Sequence, residues 1–133
     1  MQQVAPQVGI VLVSHSAPLA EGAADLARQV SGGTVTVLPA GGTEDGGLGT
    51  SAAKIAAAVR EADSGAGVLV LPDLGSAVLT MLAMLEDMTD VTVRLADAPF
   101  VEGAVAATVT AAGGAGLAEV AKAAEEAWHA RKL

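Results

Sequence analysis

Cysteine and tyrosine are both missing from this chain of 133 residues, and the remaining aromatics are one Trp and one Phe. Without cysteine there is no disulfide, no thiolate nucleophile and no sulfur ligand for a metal. That absence agrees with a reducing, cytoplasmic setting. With so few rings, the core has to be built from Val, Leu, Ile, Met and Ala, which suits helices packed closely on a sheet better than an aromatic-rich β-sandwich. Basic residues are scarce too: seven Lys and Arg stand against fifteen Asp and Glu, a formal net charge of −8. A phosphate backbone asks for a basic surface, so this balance argues against nucleic acid and favours a partner with a basic patch. No apolar run approaches the roughly 20 residues that cross a bilayer. The start "MQQVAPQ" lacks the basic segment and cleavage site of a signal peptide. The expectation is one soluble domain over 1–133, with 1–7 as a loose extension and no membrane contact.

What the chain does have is apolar residues, 52% of the total, enough for a core in a single domain of this length. Residues 8–13, "VGIVLV", form an unbroken apolar run, the mark of a parallel strand covered on both faces. From Pro18 the period becomes helical. Leu19, Ala23, Leu26 and Val30 fall at spacings of four, three and four and form the apolar stripe, and "SGG" at 31–33 ends the helix. "TVTVL" at 34–38 is a second strand. The Gly-rich loop "PAGGTEDGGLGTS" follows, after which Thr50 or Ser51 can cap the helix "AAKIAAAVREAD". A third strand spans 65–73, a third helix 75–88, a fourth strand 91–96, and Ala-rich helices 99–112 and 115–131. Strands alternating with helices imply βαβ crossovers. The predicted fold is α/β: a three-layer open sheet, mostly parallel, in strand order 2-1-3-4 with room for an extra edge strand, and helices on both faces.

In such a sheet, ligands bind beyond the carboxyl ends of the strands, where the strand order reverses. For 2-1-3-4 that crevice lies between strands one and three. His15 follows strand one and Asp73 closes strand three, so the two are expected to meet. A carboxylate that accepts the proton of one imidazole nitrogen fixes the tautomer and frees the other nitrogen as a nucleophile. In "DLGSA", Gly75 and Ser76 open the third helix, whose amides and dipole favour an anion. Together these parts can accept a phosphoryl group. Each also has a plain structural reading: a packed histidine, an Asp at a helix cap, an ordinary helix start.

The segments "IVLVSHSAPLAEGAADLARQV", "GTEDGGLGTSAAKIAAAV", "VLVLPDLGSAVLTMLAML" and "VRLADAPFVEGAVAATVTAA" occur in that order. Together they resemble the phosphotransferase subunits of PEP-dependent dihydroxyacetone kinases, relatives of the mannose-family enzyme IIA domains. The resemblance covers nearly the whole chain, from about Val8 to the last helix. It implies that His15 takes a phosphoryl group from the phosphocarrier protein HPr and passes it to ADP on a nucleotide-binding kinase subunit. The ATP so formed would phosphorylate dihydroxyacetone on a third subunit. It further implies that Asp73 orients His15, that Gly75 and Ser76 lie near the phosphate, with Ser16 counted among the phosphate-binding residues, and that the protein is a homodimer. Nucleotide and magnesium would belong to the partner, so no cofactor or metal is expected on this chain. Some family members carry further HPr-like and enzyme-I-like domains; with the chain ending at Leu133, separate proteins are expected to supply the phosphate.

Other features carry weaker expectations. Residues 75–85 are apolar almost all round, which fits core burial or a share of the dimer interface. Glu102 is an acid at a helix start, His129 a solvated tail residue, and Trp128 an anchor for the last helix. Loop 41–50 is expected to serve docking, since it leaves strand two on the active-site edge. No basic residue lies near His15 in sequence, the first being Arg28. The alternatives are a class II tetrapyrrole metal chelatase, which also runs a strand into a histidine, and a non-catalytic dimeric binding module. A serine hydrolase acting through Ser14 or Ser16 lacks the G-x-S-x-G elbow.

Overall fold

A computed structural model describes residues 5–133; residues 1–4 of the expected extension lie outside the described part. Four parallel strands form one sheet in the order β2-β1-β3-β4, as the βαβ pattern requires. In chain order the elements are β1 (Gly9–Ser14), α1 (Ala17–Ser31), β2 (Val37–Gly41), α2 (Ala52–Ala62), β3 (Val68–Pro72), α3 (Gly75–Asp87), β4 (Val93–Leu95), α4 (Phe100–Ala112) and α5 (Leu117–Glu126). A 3-10 turn, Ala127–His129, ends the last helix sooner than its Ala-rich pattern predicts. No fifth strand occurs among the described residues.

The pleat divides the core. Ile10, Leu12, Leu69 and Leu71 face α1, α4 and α5, while Val11, Val13, Val68 and Val70 face α2 and α3. The central strands β1 and β3 are therefore buried on both faces, which explains why β1 reads as a continuous apolar run.

One expectation fails on α1. Leu19, Leu26 and Val30 of the predicted stripe are exposed, at 46%, 45% and 55%. The buried face is Ala20, Ala23, Ala24 and Ala27, packed with Ala104, Ala107 and Ala111 of α4. Alanine wins because α1 and α4 sit side by side over one face of a small sheet. Short side chains let both helices approach it closely, and a leucine seam would hold them apart. The helix α3 also leaves apolar residues outside. Ala77, Met81 and Met84 are buried, whereas Leu79 and Leu82 are 73% and 51% exposed.

The second strand lies three residues later than the sequence pattern suggests and includes Pro39. Thr36 O and Gly42 N bond toward β1, so the alternate residues Val37, Pro39 and Gly41 turn their backbone groups to the open edge. Proline has no N–H to leave unpaired there. Arg28 donates to Val37 O, and Lys54 Nζ donates to Gly41 O at 3.2 Å. Proline and two cations thus cover an edge that would otherwise invite pairing with another strand.

Gly41 also sets the distance between β2 and the start of α1. A Cβ added there would lie 2.7 Å from Ala17 Cα and from Ser16 O, both backbone atoms that cannot swing aside. Gly41→Ala should therefore destabilise the fold by about 1–3 kcal/mol, read as a lower urea midpoint with an unchanged m-value.

Candidate functional site

The site forms where β1 and β3 end. Ser14 is the last residue of β1 and pairs with Gly41 of β2. Its carbonyl accepts from Gly42 N at 3.1 Å, and Asp73 N donates to Val13 O at 2.9 Å, extending the β1–β3 ladder by one residue. Both backbones are thus fixed by the sheet before any side chain is considered. Ser16 then caps α1, its Oγ accepting from Leu19 N at 3.4 Å, with Pro18 in the first turn. His15 is the single residue between a strand end and a helix cap.

Its imidazole reaches Asp73, the expected partner, and also Ser76, expected near the phosphate. Nδ1 lies 3.0 Å from Asp73 Oδ1, and Nε2 lies 2.8 Å from Ser76 Oγ. The ring remains accessible, with its side chain 26% exposed against 9% for Asp73. Burial would raise the Asp73 carboxyl, but the His15 amide, the His15 ring and the Ser14 hydroxyl all donate to it. These donors outweigh burial and hold the group below its ordinary value of 3.8. Asp73 is therefore ionised and can only accept, so Nδ1 carries the proton. Nε2 keeps its lone pair, and the Ser76 hydroxyl donates to it. Position and protonation both present Nε2 outward as a nucleophile.

Gly75 and Ser76 open α3, whose Leu74 cap makes no side-chain hydrogen bond. The first amides of a helix have no intrahelical acceptor, and Ser76 Oγ at 2.8 Å from Nε2 brings this helix start, a candidate anion-binding end, beside the ring. A Cβ at Gly75 would meet nothing within 4 Å, so packing does not demand glycine there. Ser16, grouped with these residues from the sequence, has its hydroxyl occupied by the α1 cap and its amide donating to Ser14 Oγ at 3.0 Å.

Ser14 is the residue that sequence reasoning missed. It is 0% exposed, and its hydroxyl donates to Asp73 Oδ2 at 2.8 Å. Burial and this bond remove it as a hydrolase nucleophile. The available signal was a small polar residue ending an otherwise wholly apolar run, immediately before the histidine.

The loop after β2 is a built turn. Gly46 N donates to Thr43 O and Thr43 N to Gly47 O, both at 3.0 Å. Gly49 N then donates to the His15 carbonyl at 2.9 Å, and Thr50 Oγ1 meets Thr80 Oγ1 of α3 at 3.2 Å. Gly49 holds φ at +137°, and a Cβ would meet Thr43 Cγ2 at 2.8 Å, so the contact needs glycine. The loop is fastened to the histidine on one side and leaves Leu48 85% exposed on the other.

The remaining candidates lie elsewhere. Glu102 pairs with Lys132 Nζ at 3.3 Å; hydrogen bonding by its own amide, then by Lys132, holds its carboxyl low. Trp128 Nε1 donates to Asp97 O at 3.0 Å, anchoring the final turn, where His129 is exposed. Arg28 is engaged with Asp25 and Val37 O, while Lys54, distant in sequence, binds β2 at the residue paired with Ser14. No group of three or more His, Asp or Glu suited to a metal occurs among the described residues.

Residues 9–121 match the family described as PTS system fructose IIA component. The chain is 39% identical over 132 residues to the phosphoryl donor subunit DhaM of the PEP-dependent dihydroxyacetone kinase of Klebsiella michiganensis. That match takes in 95% of this chain but 28% of the relative, so the chain spans little more than a quarter of that protein's length. A DhaM subunit of Listeria innocua is 38% identical over 105 residues, 77% of this chain and 84% of its own. Among solved structures, a protein of unknown function superposes with a TM-score of 0.79 at 36% identity, covering 90% of this chain and 94% of that one.

Proposed function

This chain belongs to the EIIA-man family of PTS system fructose IIA components, and from that premise we propose that it is the phosphoryl donor subunit of a PEP-dependent dihydroxyacetone kinase, the role for which its relatives are named. The observation that carries the reading is the His15 ring, protonated toward Asp73 at 3.0 Å with Nε2 turned toward the start of α3.

In this reading, phospho-HPr brings its phosphoryl group in line with Nε2. The N–P bond of the carrier breaks as the P–Nε2 bond forms, with the lone pair of Nε2 supplying the electrons. The Nδ1 proton stays in place, the ring becomes formally cationic, and Asp73 balances the charge. Ser76 must give up its bond to Nε2 when phosphorus arrives, and its hydroxyl can then donate to a phosphoryl oxygen beside the amides of Gly75 and Ser76. In the second transfer the P–Nε2 bond breaks toward a terminal oxygen of ADP on the nucleotide-binding subunit. The dihydroxyacetone-binding subunit uses the resulting ATP. Nucleotide and magnesium sit on the partner, and this chain contributes no cofactor.

A site for such a relay must hold the phosphoryl group without trapping it. Among the described residues no cation is a side-chain partner of His15, and the group that meets Nε2 is the Ser76 hydroxyl. The exposed Leu79 and Leu82 of α3 support the homodimer as part of the same reading.

The test is intact mass after incubation with PEP, enzyme I and HPr. An acid-labile gain of one phosphoryl group, discharged by ADP with the nucleotide-binding subunit, is the expected result. No gain with a cognate HPr would overturn the relay, and metal and porphyrin binding would then be assayed for the chelatase alternative.

A further inference from the structure

We propose that Ser14 is a positioning residue for phosphoryl transfer, fixing which oxygen of Asp73 faces the His15 ring and at what angle. The proposal rests on the relay reading and assigns a second layer to the same site.

The direction of each bond around Ser14 follows from the donors available. Ser16 N donates to Ser14 Oγ at 3.0 Å, so the single hydroxyl proton is free for Asp73 Oδ2 at 2.8 Å. The same Oδ2 accepts from His15 N at 3.1 Å, leaving Oδ1 for His15 Nδ1 at 3.0 Å. A carboxylate rotates about its last torsion in a broad, two-fold profile, so attachment to β3 alone would not present one oxygen to the ring. Two donors on Oδ2 remove that freedom. Through the Ser16 amide, the same hydroxyl ties the end of β3 to the start of α1. The ring of His15 is thereby held between two points that cannot drift independently. Ser14 never touches the phosphoryl group, because it is fully buried beneath the carboxylate.

If the hydroxyl merely satisfied a buried polar neighbour, its loss would lower stability and leave the ring unchanged. The proposal requires the ring to change. The measurement is the His15 tautomer, read from imidazole 15N shifts of the labelled full chain, beside the rate of phosphorylation by phospho-HPr. In Ser14→Ala the population protonated on Nδ1 should fall toward that of free imidazole. The rate should drop by about 10–100-fold, the range seen when an outer hydrogen bond that orients a working group is removed. Ser14→Thr, which keeps the hydroxyl, should recover both. Ser14→Cys, similar in shape with a weak donor, should behave as Ser14→Ala and serves if alanine prevents folding. A folded Ser14→Ala or Ser14→Cys with wild-type tautomer and rate would overturn the proposal, as would a Ser14→Thr variant as impaired as alanine. The tautomer is read without any phosphoryl donor. An unphosphorylated wild type would therefore sink the relay, while the ring would still report separately on Ser14.

Discussion

Alanine at position 15 is expected to abolish phosphoryl acceptance, and the wild-type chain is expected to carry the group on Nε2. Both results follow from one geometry. Nδ1 lies 3.0 Å from an ionised carboxylate oxygen and holds the proton, so it has no lone pair to offer. Nε2 has the lone pair and lies beside a hydroxyl and the first turn of α3. The other histidine, His129, is exposed in the final 3-10 turn and stands outside the His15–Asp73–Ser76 hydrogen bonds, so it is not expected to substitute. His129→Ala should therefore keep the full mass gain while His15→Ala shows none. The position of the label can be read by 15N and 31P NMR of the phosphorylated protein. Phosphorus on Nδ1 would mean that the ring leaves Asp73 to react, and the orienting role of the carboxylate would fall with it.

The pairing of His15 with Asp73 was legible because a parallel sheet sends the ends of neighbouring strands to one edge. Once the order 2-1-3-4 is inferred, residues 58 apart in sequence have one place to meet. What the sequence pattern does not contain is the distance between layers. On α1 size and period point to the leucines as core, but α1 and α4 meet through alanines. Pro39, where the sequence pattern opens the loop, lies inside β2. Proline argues against a strand until it is known that β2 is an edge strand, with residue 39 pointing outward. Ser14 is silent in the sequence for a different reason. A serine beside a histidine has no legible role until the residue across the sheet is known to be the carboxylate that its hydroxyl reaches. For the loop 41–50 the sequence shows only its position on the active-site edge. Its bond to the His15 carbonyl depends on a chain reversal that glycine content suggests but does not place.

Asparagine at position 73 should be the most damaging substitution that leaves both His15 and the fold in place, because it supplies the wrong hydrogen-bonding pattern rather than none. Oδ2 of Asp73 receives Ser14 Oγ and His15 N, two donors that will select the carbonyl oxygen of an asparagine. The amide nitrogen must then occupy the place of Oδ1, facing His15 Nδ1. A nitrogen bearing hydrogens can only donate, so Nδ1 must accept and the ring proton moves to Nε2. The nucleophile is lost with almost no movement of atoms. In serine-protease triads the same exchange, by the same tautomer error, costs about 10⁴-fold in kcat. A fall of that order in the rate of phosphorylation by phospho-HPr is expected here, with an Nε2-protonated ring in the 15N spectrum. Stability should separate the charge from the tautomer. Asp73 titrates below its ordinary 3.8 in the fold. Its charge therefore stabilises the fold fully above that value, and the contribution is lost as pH falls through the lower folded value. The gap in unfolding free energy between wild type and Asp73→Asn should be constant near neutrality and shrink in acid, while the transfer defect persists at neutral pH. An Asp73→Asn variant that accepts phosphate at the wild-type rate would show that the tautomer of His15 does not govern the reaction.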